Sequence, residues 1–361
     1  MNILMDIAHP AHVHLVRNTY FELIKRGHHV FVTVKDIPSA ISLLQKYNIP
    51  FIYLGGKKDS LVGKAIMQLM YNCKIWWLVF NKKIDIGFSS SLTLTHISRV
   101  TSMHSIILDD DDDEVEPLFV KYAHPFADVV LSPACTKRNS KKRIPYSGYH
   151  ELAYLHPNRF KPDSTVLSEI GLKVGEPYFI LRFNAFKAHH DVGVQGLSIE
   201  NKRKLIASLE KKGKVLITSE RIIDEEFKKY QLLLSPEKIH SLIYYATMLI
   251  GDSQTMSSEA AVLGTPAIRS NTFVGQISYL EEEEHVYQLT YGFLPDNFDG
   301  MLMKIDELLS FPNLKETFQM RRQKMLADKI DVTAFFVWFI ENYPESEGIM
   351  KVNPDYQLRF R

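Results

Sequence analysis

The sequence predicts an α/β protein made of two domains, each built on a doubly wound parallel sheet. Short apolar runs alternate with helical patterns from the N-terminus, and the same rhythm resumes after a stretch with Pro and Gly near the middle of the chain. At 361 residues the chain exceeds the usual size of one domain. Polar loops follow several predicted strands, which is where open α/β sheets bind ligands.

Strands are expected in the first half at residues 3–7, 30–34, 51–54, 84–88, 105–108 and 129–132, and in the second half at 178–183, 215–218, 248–250, 266–269 and 286–289. Helices are expected at 13–26, 39–47, 65–80, 199–212, 224–234, 257–263, 274–282, 298–309, 314–327 and 332–342. We expect an N-terminal domain at 1–160, a second domain at 161–330, and a helical tail at 331–361 that packs back on the first.

Composition narrows the class of partner. The chain has 43 Lys and Arg against 42 Asp and Glu, so its net charge of +1 gives no global case for nucleic acid. Cys73 and Cys135 show no metal-ligand spacing, and such sparse use of cysteine is typical of a reducing compartment. We expect a cytoplasmic protein, with peripheral contact at the inner face of the membrane left open.

The longest apolar segment, residues 65–80, is too short and too polar to span a bilayer. Lys64, Gln68 and Asn72 recur at a spacing of four and form one polar stripe on a helix. We expect a core helix that buries its apolar residues, among them Ile66, Met67, Leu69, Met70, Ile75, Trp76, Trp77 and Leu78. The alternative is a partly exposed surface for a lipid-linked substrate, flanked by Lys57, Lys58, Lys64, Lys82 and Lys83.

The loop after the first predicted strand carries three histidines. Near neutral pH, histidine can act as a general base, as a hydrogen-bond donor to a phosphate group or as a metal ligand. A metal is disfavoured because His12 and His14 are two residues apart and the nearest acid, Asp6, belongs to a buried strand. We therefore expect His9 and His12 to face a substrate.

An acidic loop, residues 109–116, follows the predicted strand at 105–108. Five adjacent aspartates usually form a solvated, mutually repelling loop, which is the default expectation. Because the loop lies at a strand end, the alternative is that one or two acids face the crevice. They would act there as a general base, as hydroxyl acceptors or as ligands of a divalent ion.

A third loop, residues 181–193, opens the second domain with cations, two histidines and an acid. Arg182 offers a planar fork that suits phosphate. His189 or His190 beside Asp191 could be an oriented acid or base. The aromatic and polar stretch 149–160 between the domains is expected to pack as a hinge.

The stretch 251–266 is the most informative for function. It follows an apolar strand pattern and leads into a helix that ends at Gly264. Asp252 or Ser253 can cap this helix, and the first-turn N–H groups, with a partial charge of roughly +0.5, suit an anion such as a diphosphate. Glu259 lies further along, where a carboxylate can accept hydrogen bonds from a sugar diol. An ordinary capped helix is the alternative.

Several separated motifs occur in the order found in a known group of enzymes. Asp252-Ser253, Glu259-Ala260 and 263–266, within two similar α/β domains, resemble the GT-B superfamily of nucleotide-sugar enzymes, including the UDP-N-acetylglucosamine 2-epimerases. Over nearly the whole chain the sequence more closely resembles the family called domain of unknown function 354. The segments that carry this second resemblance are 9–14, 148–157, 188–193 and 255–261.

The resemblance implies a GT-B-like fold of two Rossmann-like domains facing a crevice, with the nucleotide in the second domain. Ser253 and the following amides would then hold the diphosphate, and Glu259 would hold the ribose. Arg182 and His189 would face the pyrophosphate or the sugar.

The epimerases also supply carboxylates from a first-domain loop, where Glu116 is similar to one of them. The sequence departs from their pattern at two places. Residues 8–12 lack the Gly-Thr-Arg-Pro-Glu run, and Gln254-Thr255 replaces paired glycines after Ser253, which alters how closely the backbone can approach a diphosphate.

We therefore predict a nucleotide-sugar-dependent glycosyltransferase that uses a uridine diphosphate sugar in cell-surface polysaccharide synthesis. Its acceptor would be a glycan or a lipid-linked molecule. We expect the protein to use no cofactor and no metal, and to bind no nucleic acid. A 2-epimerase and a non-catalytic binder of the same fold are the alternatives, and the oligomeric state is open. The catalytic candidates are His12, Asp109, Glu116 and His189, and the binding candidates are His9, Arg182, Asp252, Ser253, Gln254, Thr255, Met256 and Glu259.

Overall fold

The computed structural model describes residues 1–56, 60–183, 196–219 and 223–361, without the side chains of residues 61, 62 and 64. The chain divides into two units. The first unit joins Met1–Arg159 to the C-terminal segment Lys329–Arg361, and the second is Phe160–Asp328. The chain therefore leaves the first unit and later returns to it.

Strands and helices alternate in both units over the described residues. The strands are β1 (Asn2–Ile7), β2 (His29–Lys35), β3 (Ile52–Gly55), β4 (Ile86–Ser89), β5 (His104–Leu108), β6 (Val129–Pro133), β7 (Arg143–Tyr146), β8 (Tyr178–Phe183), β9 (Lys214–Ser219), β10 (Met248–Gly251), β11 (Ala267–Ser270) and β12 (Thr290–Phe293). The helices are α1 (Pro10–Lys25), α2 (Pro38–Lys46), α3 (Leu61–Lys82), α4 (Leu92–Ser98), α5 (Pro117–Tyr122), α6 (Leu152–Leu155), α7 (Thr165–Glu169), α8 (Ile199–Leu209), α9 (Ile239–Tyr245), α10 (Gln254–Leu263), α11 (Ser278–His285), α12 (Phe298–Leu309), α13 (Leu314–Asp328), α14 (Val332–Glu341) and α15 (Glu345–Val352).

The described part of the first unit contains one seven-stranded parallel sheet in the order β3-β2-β1-β4-β5-β6-β7. Strand β1 is buried from Ile3 to Ile7, because a central parallel strand is covered by helices on both faces. The strand order changes direction between β1 and β4. Their carboxyl ends therefore form the switch point at which such sheets bind ligands.

The C-terminal segment completes the core of the first unit. Asp331 caps α14 and pairs with Arg159 at 2.9 Å. The Phe336 ring lies edge-on to Phe88 and Tyr146, with ring centroids 5.3 and 5.5 Å away. Residues that are far apart in sequence therefore share one aromatic core.

The second unit, in its described residues, contains a five-stranded parallel sheet in the order β12-β11-β10-β8-β9. Its switch point lies between β8 and β10, where Arg182 pairs with Gly251. A Cβ atom on Gly251 would lie 2.0 Å from the carbonyl oxygen of Arg182, so only glycine fits there. Both sheets confirm the predicted doubly wound α/β class.

Two local predictions differ from the structure, and one strand was not predicted. Residues 286–289 are not a strand, because Gln288 adopts a positive φ of 55° and β12 begins only at Thr290. Instead of a helix over 224–234, the chain forms a 3₁₀ turn at Glu225–Tyr230. Strand β7 was not predicted, since Pro145 lowers its strand propensity, which an edge position tolerates.

Helix α3 corrects the expectation of a fully buried core helix. One side packs into the core through Met67, Ile75 and Leu78. The side chains of Leu69 and Trp77, which we expected to be buried, are 65% and 62% exposed. Lys57 and Lys58, and the side chain of Lys64, lie outside the described residues. In the part of the chain that the structure describes, no helix combines the length and the apolarity that crossing a membrane requires.

Candidate functional site

The N-terminus of α10 lies at the switch point of the second sheet. Ser253 has extended dihedral angles, φ −82° and ψ 125°, and its hydroxyl accepts the N–H of Met256 at 3.3 Å. The helix ends at Gly264, whose φ of +69° is left-handed. Of the two predicted caps, Ser253 is the one that forms. The first turn therefore presents backbone N–H groups, which suit an anion, at the carboxyl edge of β10.

The surroundings of this helix end are polar. Arg182, the second-last residue of β8, lies next to it. The carbonyl of Arg182 accepts the N–H of Asp252 at 3.1 Å, and its guanidinium donates to Thr218 at 3.4 Å. Asp252 and Ser253 are buried, whereas the predicted ligands Gln254, Thr255 and Met256 are partly exposed. The structure thus brings Arg182 and the start of α10 to one edge of the sheet.

Glu259 belongs to the same helix, but its side chain is buried. Its side chain is 6% exposed, and its carboxylate accepts a hydrogen bond from Nε2 of His240 in α9 at 3.0 Å. The Phe160 ring lies edge-on to His240, 6.3 Å between centroids. Glu259 therefore links α10 to α9 in the interior of the second unit.

The acidic loop of the first unit is not the solvated, repelling loop that we took as the default. Asp109 is buried; its carboxylate hydrogen-bonds Nε2 of His124 and forms an ion pair with Nη1 of Arg138, each at 2.7 Å. Arg138 is fully buried in its side chain and also pairs with Asp113 at 2.9 Å. Its Nη2 donates to the carbonyl of Asp111 at 2.5 Å. The connection between β6 and β7 thus supplies the cation that folds the loop.

Not all the acids in this loop share the same protonation behaviour. Burial, together with the charges of Asp110, Glu116 and Asp109, raises the pKa of Asp111 well above its usual value. Glu116, a predicted catalytic residue, lies at the start of the short helix α5 and is partly exposed. Its carboxylate therefore contributes negative charge to the loop.

A second group of side chains meets at the carboxyl edge of the same sheet. Nδ1 of His150 lies 3.0 Å from Oδ2 of Asp110, which follows β5. Although burial raises the pKa of Asp110, the charge and hydrogen bond of His150 outweigh burial and lower it. Tyr146, the last residue of β7, stacks near His150 with ring centroids 6.4 Å apart. The Asp110 carboxylate therefore orients the imidazole.

His12, in the first turn of α1, belongs to this group. Burial, and then the charges of His9 and His150, lower the pKa of His12 to about 3, so the ring is neutral near pH 7. Among the described residues, three buried polar atoms here have no hydrogen-bond partner: Nδ1 of His12, Nε2 of His150 and the Tyr146 hydroxyl. Burial raises the pKa of Tyr146 well above its usual value, so its hydroxyl keeps its proton. The group offers both donors and acceptors to a polar ligand.

His9 has a different position from His12. Its ring is exposed, and Nδ1 accepts the N–H of Ala11 at 3.2 Å, so His9 caps α1. The predicted catalytic His189, with His190 and Asp191, lies outside the described residues. Among the residues that are described, no three His, Cys, Asp or Glu side chains are arranged as a metal site.

Sequence reasoning did not single out four residues of the candidate site in the first unit: Asp110, Arg138, Tyr146 and His150. Asp110 was hidden in a run of equivalent acids, and Arg138 lies in a connection with no motif. The cue that could have found His150 was the unusual mix of aromatic and polar residues at 149–160, which we took for a hinge.

The lowered pKa of His12 predicts how the stability of the first unit depends on pH. The unfolded chain binds a proton at His12 near pH 6.5, whereas the folded unit binds it only near pH 3. Stability is therefore lost as the pH falls from 6.5 towards 3, by up to about 1.4 kcal/mol per pH unit from this group. The variant His12→Gln should flatten that slope. Urea unfolding followed by tryptophan fluorescence measures it, since Trp76, Trp77 and Trp338 all belong to the first unit.

The matched control is His29→Gln, which changes an exposed histidine at the start of β2. It should retain the wild-type slope. Equal slopes for wild type and His12→Gln would contradict the assigned protonation.

Comparison with solved structures assigns the fold. A UDP-N-acetylglucosamine 2-epimerase superposes with a TM-score of 0.66 at 13% identity, over 97% of this chain and 95% of that one. The spinosyn rhamnosyltransferase SpnG in complex with thymidine diphosphate gives a TM-score of 0.63 at 11% identity, over 94% of this chain and 100% of that one. The chain has the GT-B fold of glycosyltransferases and UDP-sugar epimerases, as the resemblance predicted.

Comparison of sequences finds a relative and a family. The uncharacterized protein MJ0665 of Methanocaldococcus jannaschii is 22% identical over 336 residues, which cover 85% of this chain and 94% of that protein. The family described as protein of unknown function, DUF354, matches residues 1–290. The chain belongs to the DUF354 family.

Proposed function

We propose that this protein is a glycosyltransferase that transfers a sugar from a uridine diphosphate sugar to a glycan or lipid-linked acceptor in the synthesis of cell-surface polysaccharide. The observation that carries the proposal is the start of α10 at the switch point of the second sheet, with Arg182 beside it. The GT-B fold also supports the proposal, because a solved glycosyltransferase with that fold contains thymidine diphosphate. The second unit would hold the nucleotide, and the first would serve the acceptor.

The second unit would stabilise the leaving group. When the bond between the anomeric carbon and the diphosphate oxygen breaks, negative charge accumulates on the diphosphate. The N–H groups at the start of α10, their positive helix end and the guanidinium of Arg182 can stabilise that charge. Partly exposed Gln254 and Thr255 would contact the phosphates, and Glu259 would accept hydrogen bonds from the ribose.

The first unit would supply the base. The predicted Asp109 is committed to its contacts with Arg138 and His124. We therefore assign proton removal to Nε2 of His150, whose other nitrogen faces Asp110. The acceptor hydroxyl gives its proton to Nε2 as its oxygen attacks the anomeric carbon, and Asp110 stabilises the imidazolium that forms. Neutral His12 would hydrogen-bond the acceptor.

The variant Glu259→Gln tests the proposal that the second unit binds the nucleotide. We expect affinity for uridine diphosphate to fall about tenfold, because an amide is a weaker acceptor for a diol than a carboxylate. Isothermal titration calorimetry measures the change. Glu307→Gln, which neutralises an exposed carboxylate of α12 in the same unit, is the control and should bind normally. Unchanged affinity in Glu259→Gln, with thermal unfolding also unchanged, would remove the ribose role.

An epimerase is the second candidate, because a UDP-N-acetylglucosamine 2-epimerase superposes over nearly the whole chain. Incubating a uridine diphosphate sugar alone in heavy water separates the two reactions. Deuterium uptake at the sugar carbon beside the anomeric centre indicates epimerisation, which removes that proton. Acceptor-dependent release of uridine diphosphate without deuterium uptake indicates transfer. Nucleotide binding without either reaction indicates a non-catalytic binder.

A further inference from the structure

Helix α3 carries an apolar surface that the fold does not use. The side chains on this outward face are large and at least 41% exposed; Phe80 is 71% exposed. They recur at spacings of three and four and so lie along one side of a single helix. The outward face consists of Ile66, Leu69, Met70, Trp76, Trp77 and Phe80.

The opposite side of the same helix is the one that folding requires. Met67, Tyr71, Ile75 and Leu78 pack into the core of the first unit. A helix that already buries one apolar stripe gains nothing in folding from a second stripe in water. The stacked rings of Trp76 and Phe80, 6.0 Å between centroids, make this second stripe broad and rigid.

Charge indicates what covers the outward face. Helix α3 contains no aspartate or glutamate, and Lys82 and Lys83 are exposed where the helix ends. Two copies of this chain related by a two-fold axis would set these like-charged helices against each other. An anionic lipid surface instead offers phosphates for the lysines and acyl chains for the apolar residues.

We propose that the outward face of α3 lies on an anionic phospholipid bilayer, parallel to its surface. Trp76, Trp77 and Phe80 enter the boundary between headgroups and acyl chains, where aromatic rings are favoured, and Lys82 and Lys83 contact lipid phosphates. The binding is peripheral. It does not depend on the nucleotide-sugar proposal, because it needs neither donor nor acceptor.

Flotation of the full-length protein with vesicles tests this proposal in the absence of nucleotide. We expect binding to vesicles of phosphatidylglycerol and phosphatidylcholine, weaker binding to phosphatidylcholine alone, and a decline with added salt. Tryptophan emission should shift to shorter wavelength on binding, since two of the three tryptophans lie on the outward face.

Leu69→Ser and Phe80→Ser should each weaken vesicle binding about tenfold, because each removes an apolar side chain that would leave water. Leu233→Ser is the matched control: Leu233 is 82% exposed in the second unit, and its replacement should leave binding unchanged. Lys82→Gln with Lys83→Gln should abolish the preference for anionic vesicles.

Three results would overturn the proposal. They are the absence of binding to anionic vesicles, an equal loss in Leu233→Ser and Leu69→Ser, and a dimer in solution that Leu69→Ser dissociates while vesicles bind neither protein. Because every variant substitutes an exposed residue, circular dichroism should show an unchanged fold.

Discussion

Replacing Asp110 by Asn is expected to slow the proposed sugar transfer by about 10²- to 10⁴-fold, the range that general acid-base catalysis contributes. The amide can still hydrogen-bond Nδ1 of His150, but it carries no charge to stabilise the imidazolium that forms as Nε2 takes the proton. Affinity for uridine diphosphate should not change, because the proposed nucleotide site belongs to the second unit. Initial rates of diphosphate release with acceptor, and calorimetry with nucleotide alone, separate these two quantities.

Two further variants define the role of Asp110. Glu114→Gln neutralises an exposed carboxylate of the same loop and should retain activity. His150→Gln should lose as much activity as Asp110→Asn, and the double variant should lose little more, since residues that act as a unit have non-additive effects. A loss below about threefold in Asp110→Asn would refute the role assigned to Asp110.

Replacing Arg138 by Met is expected to destabilise the first unit by about 3–5 kcal/mol, the usual cost of removing one partner from a buried ion pair. The substitution removes the cation from the buried carboxylate of Asp109, which keeps its contacts with His124 and with the N–H of Asp111. It also removes the ion pair of Asp113. Urea unfolding followed by tryptophan fluorescence measures the change, because all three tryptophans report on this unit.

The matched control is Arg99→Met, which breaks an ion pair with Asp128 in the same unit, where the arginine side chain is 40% exposed. Exposed pairs contribute about 0–1 kcal/mol, so this variant should unfold close to wild type. Equal midpoints for the two variants would show that Arg138 does not hold the acidic loop in place.

The fold was predictable from the sequence because its main signals are local. The alternation of buried strands with amphipathic helices requires no knowledge of distant contacts, and the Ser253 cap with Gly264 at the helix end reads directly from a short segment. The start of α10, where we propose that the nucleotide binds, was predictable for the same reason.

The acid-base side was not predictable in this way. The pairing of Asp109 with Arg138 and of Asp110 with His150 depends on β5, β6 and β7 lying side by side, and strand order is not written in local patterns. A run of five aspartates also offers no local signal that distinguishes its members. Similarly, the periodicity of α3 shows that Trp77 is apolar, but not which apolar stripe the core takes.

The return of the chain to the first unit makes the order of synthesis matter. The segment around His150 is held by residues made after the whole second unit: Thr333 donates to the carbonyl of Ala153, and Gln357 accepts the N–H of Ser147, each at 2.6 Å. During translation the second unit can fold as soon as it emerges, whereas the first must wait for these late residues. The proposed catalytic histidine is therefore set in place last, so in a nascent chain the proposed nucleotide site would form before the proposed base.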